Sequence, residues 1–364
     1  MNPKEAELLA LIRRNPYLSQ QEMADAMKLS RPTIANLISG LIREGKILGR
    51  AYVLPEEGTV ICIGGANVDR KFKMKKKTIM GTSNPASVTG SVGGVARNIA
   101  ENLGRLGHDV KLLSIAGNDS EWKLIEEVSL PFMSTDLTKS FDELATGTYT
   151  AVLEPDGEML LAMANMDIYE KMTPAYVARN ETALLSASCI VIDLNCPKDT
   201  IEYVRKLVKS RDIPLAVIPV SGPKMDRLSE DLTGITWLVL NRDEAEQYWG
   251  ISIETMEDWK ESAGKFLERG VENVLITGGK EGVFAASKSA IEHYEALHAQ
   301  ELRDVTGAGD AFSSGVIHSF LHRRDFAETI RSGLMNAAKT LQSESTVRTE
   351  LTAEQLKKEL EELQ

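Results

Sequence analysis

From Thr59 onward the chain repeats one pattern: a short, unbroken run of β-branched and aliphatic residues, then a stretch whose apolar positions recur at helical spacing. The runs are Val60–Ile63, Val110–Leu113, Cys189–Ile192, Leu215–Ile218, Trp237–Leu240 and Val274–Ile276. Apolar on both faces, they predict strands of a parallel sheet covered on each side by helices, hence an α/β fold. Two segments break the pattern. Around Thr78–Val92 and Thr148–Met163 polar and apolar residues alternate, and Pro155-Asp156-Gly157 offers a hairpin turn. They predict a small antiparallel flap beside the core, a lid over a cleft, spanning about residues 70–92 and 146–168.

The first 54 residues follow a different pattern. Leu8, Leu9 and Ile12 mark one helix, and Ser19-Gln-Gln-Glu22 is a capping box that starts a second. After a turn at Lys28-Leu29, Ser30 caps a third helix with Pro32 in its first turn. Ile34, Leu37, Ile38, Leu41 and Ile42 fall on one face of it, and Gly45 suits its stop. Lys46–Leu54, with Gly49 inside, predicts a small hairpin. Three helices and a hairpin resemble a winged helix-turn-helix module, which implies DNA contacts from Arg31, Thr33 and Asn36 at the start of the third helix and from Arg50 on the wing. A helical interaction domain with a merely solvated polar face is the alternative.

Charge separates the two parts. Residues 1–54 hold eight Lys or Arg against five Asp or Glu, a surplus of three positive charges, so the net −11 of the chain leaves −14 for the remainder. The change falls at Pro55-Glu-Glu-Gly58, a short linker, and divides the chain into units of residues 1–54 and 58–364. The 364 residues, 43% apolar and 26% charged, suffice for two or three globular domains. Cys62, Cys189 and Cys196 lack metal-ligand or disulfide spacing, which indicates a reducing cytoplasm and no zinc site. The charged start MNPKEAELLALIRRN excludes a signal peptide, and no apolar run approaches the roughly 18 residues of a membrane span.

The chemistry concentrates in Asp304-Val-Thr-Gly-Ala-Gly-Asp310. The chain has neither a P-loop nor a dinucleotide fingerprint, so any phosphate site must be of another kind. Gly307, Ala308 and Gly309 bear little side chain, and their amides can point at an anion at the positive end of a following helix. A carboxylate at Asp310 would repel a static phosphate. It makes sense as the base that takes a hydroxyl proton while a phosphoryl group arrives. A tight strand-to-helix turn capped by an Asp is the plainer alternative.

Two longer motifs decide between them. Gly93-Gly94-Val-Ala-Arg97-Asn98, with Gly107 and Gly117 beyond, and Asp304–Asp310 followed by Ser314-Gly315-Val316-Ile317 resemble the signature motifs of the ribokinase-like (phosphofructokinase-B type) carbohydrate and nucleoside kinases, from about Thr59 to the C-terminal helices. The resemblance implies a three-layer α/β sandwich with a β lid, and ATP and Mg2+ as cofactors. It makes Asp310 the general base and Gly307 to Gly309 the anion hole. In Asn241-Arg-Asp-Glu244 it implies that Glu244 positions Mg2+ through water and Asn241 lies near the phosphates; a helix-capping Asn with a solvated Glu is the plainer alternative. Thr277, Gly279 and Gly282 would border the nucleotide, Asn336 would line the adenine pocket, and Asp304 with Thr306 would hold a monovalent cation such as K+. On the acceptor side it implies that Asp69, in Gly64-Gly-Ala-Asn-Val-Asp69 at the end of the first core strand, holds sugar hydroxyls with Gly93, Gly94 and Asn98. A carboxylate can accept two vicinal hydroxyls at once.

Ser83-Asn-Pro85, Arg97 and the lid segment through Asn165 and Asp167 look most similar to the pseudouridine kinase branch, which implies that Asn165 and Asp167 read a uracil edge. One position departs from the family pattern: Ile218 stands where relatives carry a polar residue before the proline, and Asn195 is the nearest compensation. The leading expectation is an ATP- and magnesium-dependent kinase acting on the 5′-hydroxyl of a ribonucleoside, pseudouridine first, as a homodimer, with the N-terminal module linking it to DNA. Inosine, uridine and ribose are the other acceptors. The rival is a transcription regulator whose kinase-like domain only senses a nucleoside or sugar.

Overall fold

The computed structural model describes residues 3–15, 18–47, 58–298 and 306–362. At the N-terminus, α1 (Pro3–Arg14), α2 (Gln20–Met27) and α3 (Arg31–Arg43) close around Leu8, Ile12, Met23, Ile34, Ile38 and Leu41. The Ser19–Glu22 capping box forms as the sequence predicts, and the Ser30 side chain accepts from Thr33 N–H. Gly45 follows α3 with a φ of 71°, a left-handed turn that favours glycine. Ile42 departs from expectation: at 39% exposure it lies off the buried stripe. The hairpin and linker expected over residues 46–57 fall largely outside the described residues.

The larger part alternates strands and helices. Its strands are β1 (Val60–Ile63), β2 (Asn67–Met74), β3 (Ala86–Gly93), β4 (Val110–Leu113), β5 (Ile115–Gly117), β6 (Lys139–Phe141), β7 (Thr148–Leu153), β8 (Met159–Asn165), β9 (Cys189–Asp193), β10 (Leu215–Ile218), β11 (Trp237–Asn241), β12 (Asn273–Thr277), β13 (Val283–Ser287) and β14 (Ile291–Tyr294). Its helices are α4 (Val95–Arg105), α5 (Ser120–Ser129), α6 (Pro174–Val177), α7 (Glu181–Ser186), α8 (Lys198–Lys209), α9 (Arg242–Trp249), α10 (Met256–Glu268), α11 (Ala308–Leu321), α12 (Phe326–Thr340) and α13 (Ala353–Glu361). Eight strands form one sheet in the order β14-β13-β12-β11-β10-β9-β1-β4. The pairs from β4 through β12 are all parallel, and β13 and β14 add antiparallel strands at one edge.

Burial explains the unbroken apolar runs. In β1, Ile61 and Ile63 pack with Ile201, Val204 and Val208 of α8 on one face, while Val60 and Cys62 pack with Ile99 and Leu103 of α4 and Val316 and Ile317 of α11 on the other. Each such side chain, fully buried, contributes about 1.5–3 kcal/mol. The result is a helix–sheet–helix sandwich.

The lid is the four-stranded sheet β3-β2-β7-β8. It differs from the expected antiparallel flap in two ways. β2 and β7 pair in parallel, because two hairpins inserted at separate points of the chain meet side by side. Asp69, expected at the end of the first core strand, lies within lid strand β2. Along β2, Asp69 and Lys71 share one face with Thr89 and Ser91 of β3, while Phe72 lies on the other in a cross-sheet row with Val88, Val152 and Leu161. Among the described residues no helix is long and apolar enough to cross a membrane.

Candidate active site

The C-terminal ends of β1, β9, β10, β11 and β12 open on one edge of the parallel sheet, where ligands of open α/β sheets bind. Each strand end delivers a polar group or a bend there. Asp193 closes β9 and is wholly buried. Its carboxylate accepts from Gly65 N (2.9 Å), Ala96 N (3.0 Å), Asn195 N (2.8 Å) and Asn195 Nδ2 (3.2 Å). Burial pushes this carboxyl up against the pull of those four N–H groups. Asp193 thus ties the loop after β1, the start of α4 and the loop after β9 into one unit.

α11 begins beside this unit. Its first residues, Ala308, Gly309 and Asp310, follow Gly307 at φ 82°, and no side chain caps the helix. A Cβ on Gly307 would lie 2.2 Å from Thr346 O, so packing alone requires glycine there. At Gly309 a Cβ would meet nothing within 4 Å. The protein's own packing does not explain that glycine, whereas close approach of a ligand to bare backbone does. Asp310, half-buried, accepts from Asn98 Nδ2 at 2.9 Å. Burial raises its carboxyl to about 7 against the pull of Asn98, with help from the negative charges of Asp193, Glu244 and Asp69.

Two further carboxyls share this condition. Burial raises Asp69 to about 6, although Lys71 and the 2.6 Å hydrogen bond from Asn67 Nδ2 oppose it. Burial and the neighbouring Asp243 raise Glu244 to about 7, against the backbone N–H of Asn241. Asn241 and Glu244 form a reciprocal capping box at the start of α9, each accepting from the other's N–H at 2.8 Å. The plainer reading of that pair, a helix cap, is therefore realised, yet Glu244 is buried rather than solvated. A buried carboxylate beside other under-ionised carboxyls is the hard oxygen donor a Mg2+ ion takes, and the site fits one.

Lys224 supplies a cation that sequence reasoning missed. Half-buried in the short helical turn Gly222–Arg227, it donates through Nζ to Asn195 Oδ1. Burial lowers its ammonium, and Asp193 opposes that. It follows Ile218 by six residues, so the strand end that lacks the expected polar residue gains a basic one from the next turn. Ile218 itself packs into the core. The signal was a lone lysine just past a strand end, which spacing alone does not distinguish from a surface residue.

A cavity of about 480 Å³ lies between the inner face of the lid and residues 344–349. Asp69, Lys71 and Thr306 line it, as does Arg97 at the start of α4. Arg97, 2% exposed, pairs with Glu101 (2.5 Å) and donates to Ser129 Oγ (3.1 Å), while its Nη2 has no hydrogen-bond partner among the described residues. Gly93 touches the site through Asp69: a Cβ there would lie 2.4 Å from Asp69 Oδ2. Gly94 bends the chain into α4 with a φ of 104°.

Other expected residues are placed differently. Asn336, expected to line an adenine pocket, is wholly enclosed: its Nδ2 donates to Ala311 O (2.8 Å) and Asn102 Oδ1 (3.2 Å), and its Oδ1 accepts from Arg348 Nε (3.1 Å). It braces α11 and α12 and meets no solvent. Asn165 and Asp167 are exposed and do not line the cavity; Asn165 shares the face of Leu161 and Met163, opposite Asp69. Thr277 ends β12, and Gly279 is exposed in the following turn. Gly282 is explained by packing, since a Cβ would lie 2.0 Å from Tyr294 O. Thr306 is exposed ahead of α11, and Asp304 lies outside the described residues, as does Arg50. Arg31 and Asn36 are exposed on α3, while Thr33 is half-buried with its hydroxyl 2.7 Å from that of Ser30.

Comparison with known proteins matches this arrangement. The model of the winged helix-turn-helix DNA-binding family matches residues 1–47. A protein of Escherichia coli (strain K12) named as the uncharacterized sugar kinase YeiI is 31% identical over 339 residues, 93% of either chain. The pseudouridine kinase of the same organism is 31% identical over 277 residues, 76% of this chain and 88% of its own. The structure of Arabidopsis thaliana ribokinase complexed with ribose and ATP superposes with a TM-score of 0.74 at 20% identity, covering 83% of this chain and 98% of that one. The pfkB family carbohydrate kinase model matches residues 58–353. The chain belongs to that family, and is a sugar or nucleoside kinase of the ribokinase fold, a phosphotransferase with an alcohol group as acceptor.

Proposed function

We propose that this enzyme transfers the γ-phosphoryl group of ATP to the 5′-hydroxyl of a ribonucleoside, with pseudouridine as the leading acceptor. The observation that carries the reading is Asp310, a carboxyl raised to about 7 in the first turn of an uncapped helix. A base of that strength is half-ionised near neutral pH, the condition in which general-base catalysis is most effective. Asp310 takes the proton of the acceptor hydroxyl. The backbone amides of Ala308, Gly309 and Asp310 receive the negative charge of the moving phosphoryl group. Asn98 holds the base in place, and Asp69 accepts from the vicinal hydroxyls of the ribose. Glu244 would hold Mg2+ through water, beside Asn241. When bound, that ion offsets the charge of the phosphates. Lys224 and Asn195 would face the phosphate tail, and Thr277 and Gly279 the nucleotide's edge.

The lid face with Asp69 and Lys71 closes over the acceptor and excludes water, the competing nucleophile. The opposite face carries the row Val88, Phe72, Val152 and Leu161, with Met163 adjoining; Val88, Leu161 and Met163 are each at least half exposed. Exposed apolar rows on a sheet seek a partner, and a second copy of the chain covering this face gives the homodimer. The N-terminal helices present Arg31 and Asn36 outward, which supports a DNA contact at the start of α3. Deleting residues 1–54 should abolish salt-sensitive retardation of DNA and leave the kinase active.

The acceptor is tested by ATP consumption with pseudouridine, uridine, inosine, ribose and fructose 6-phosphate. The reading requires the highest kcat/KM with pseudouridine. Preference for free ribose or the hexose phosphate overturns the nucleoside assignment, and tight binding of pseudouridine without turnover favours a sensor.

A further inference from the structure

Away from the catalytic edge, three histidines meet at the far end of the catalytic helix. His318 and His322 lie one turn apart at the C-terminal end of α11, and His108 follows the Gly107 turn after α4. Their ligand atoms all lie within 4.8 Å of one another, with His108 Nε2 and His318 Nδ1 at 2.9 Å. His108 and His318 are half-buried and His322 is exposed, so the cluster opens to solvent on one side.

Each ring is prepared as a nitrogen donor. The Nδ1 of His322 lies 2.8 Å from His318 O; a carbonyl only accepts, so Nδ1 carries the proton and Nε2 keeps its lone pair. Burial, with mutual repulsion among the rings, holds His318 near 3 and His108 near 4, so both stay neutral at physiological pH. His108 and His318 share one proton between facing nitrogens. Three imidazoles within reach of one point favour a borderline ion that gains from nitrogen ligation over a hard cation, against the repulsion of Arg324, the charged group acting on His318.

We propose that His108, His318 and His322 form a binding site for a Zn2+-type divalent ion, three imidazoles and one water, that clamps the C-terminal ends of α4 and α11 together. Zinc holds nitrogens at about 2.0–2.1 Å, which places three of them about 3.3 Å apart. The exposed His322 closes the remaining gap by a change of rotamer. As the ion enters, whichever of His108 and His318 carries the proton between them moves it to its other ring nitrogen, so both bind as neutral imidazoles. The clamp acts on the same two helices whose opposite ends carry Asn98 and Asp310, so the ion stiffens the pair that makes the base.

The test uses the full chain, saturated with Mg2+ and free of nucleotide, titrated with Co2+ for visible d–d bands and with Zn2+ for a shift in Tm. The two remaining histidines, His293 and His298, and the three buried cysteines are the background. Expected are one Co2+ per chain with saturable bands and a rise in Tm with Zn2+. His322→Gln, at an exposed position, should fold normally, keep the basal activity and weaken binding at least about tenfold. His108→Asn should do the same to binding. Absence of saturable bands, or binding that both variants leave unchanged, overturns the site.

Discussion

Asn98 Nδ2 donates to Asp310 Oδ2 at 2.9 Å, joining the first turns of two helices 212 residues apart in sequence. The bond aims the carboxylate and favours its ionised form, against burial. Asn98→Ala should therefore raise the Asp310 carboxyl further. The acid limb of the kcat/KM profile should move to higher pH, and kcat at pH 7 should fall about three- to tenfold. A pH–rate profile of the variant superimposable on wild type would show that Asn98 does not touch the base.

The raised carboxyls make the ligand-free site a source of instability. Asp69, Glu244 and Asp310 bind their protons more tightly folded than unfolded. Their contribution to stability is thus present below about pH 4 and is lost as pH rises through 6 to 7. Asp310→Asn should stabilise the Mg2+-free protein by about 1–2 kcal/mol at pH 8 and by almost nothing at pH 4, seen in denaturant midpoints at both values.

Arg348 presents the opposite case. Wholly buried, it makes two 2.8 Å hydrogen bonds to the Glu359 carboxylate of α13 and a third to Asn336. Burial alone would push Glu359 up, but the paired hydrogen bonds outweigh it and hold the carboxyl below its usual range. Arg348→Ala leaves that enclosed carboxylate with the Gln355 Nε2 hydrogen bond but without its buried cation, and should cost about 3–5 kcal/mol in urea unfolding. The double variant Arg348→Met with Glu359→Leu should recover much of the loss.

On the lid, Leu161 sits in the outward apolar row at 52% exposure. Leu161→Asp should convert a dimer into monomers by sedimentation velocity. It should also raise the KM for the acceptor, because the lid loses its support.

Much of this was legible in the chain. The core strands were, because a run such as Val60–Ile63 is apolar on both faces and only a covered parallel sheet buries both. The caps at Ser19, Ser30 and Asn241 were, because a cap is decided within four residues. Long-range partners were not. Asp193 is held by amides 128 and 97 residues away, and no spacing rule carries that information. Asn336 reads as a helical polar residue until Arg348 and Asn102 are seen to enclose it. Lid strand β2 was legible only in part: the expected lid begins near residue 70, whereas the strand starts at Asn67 and carries Asp69 with it.

The central claim is that Asp310 deprotonates the acceptor while the neighbouring amides hold the phosphoryl group. It is tested most directly by single-turnover phosphoryl transfer in Asp310→Asn beside the affinity of the variant for Mg2+–ATP. The account predicts nucleotide affinity within about threefold of wild type and transfer slowed by about 10²–10⁴. Transfer at the wild-type rate would contradict it.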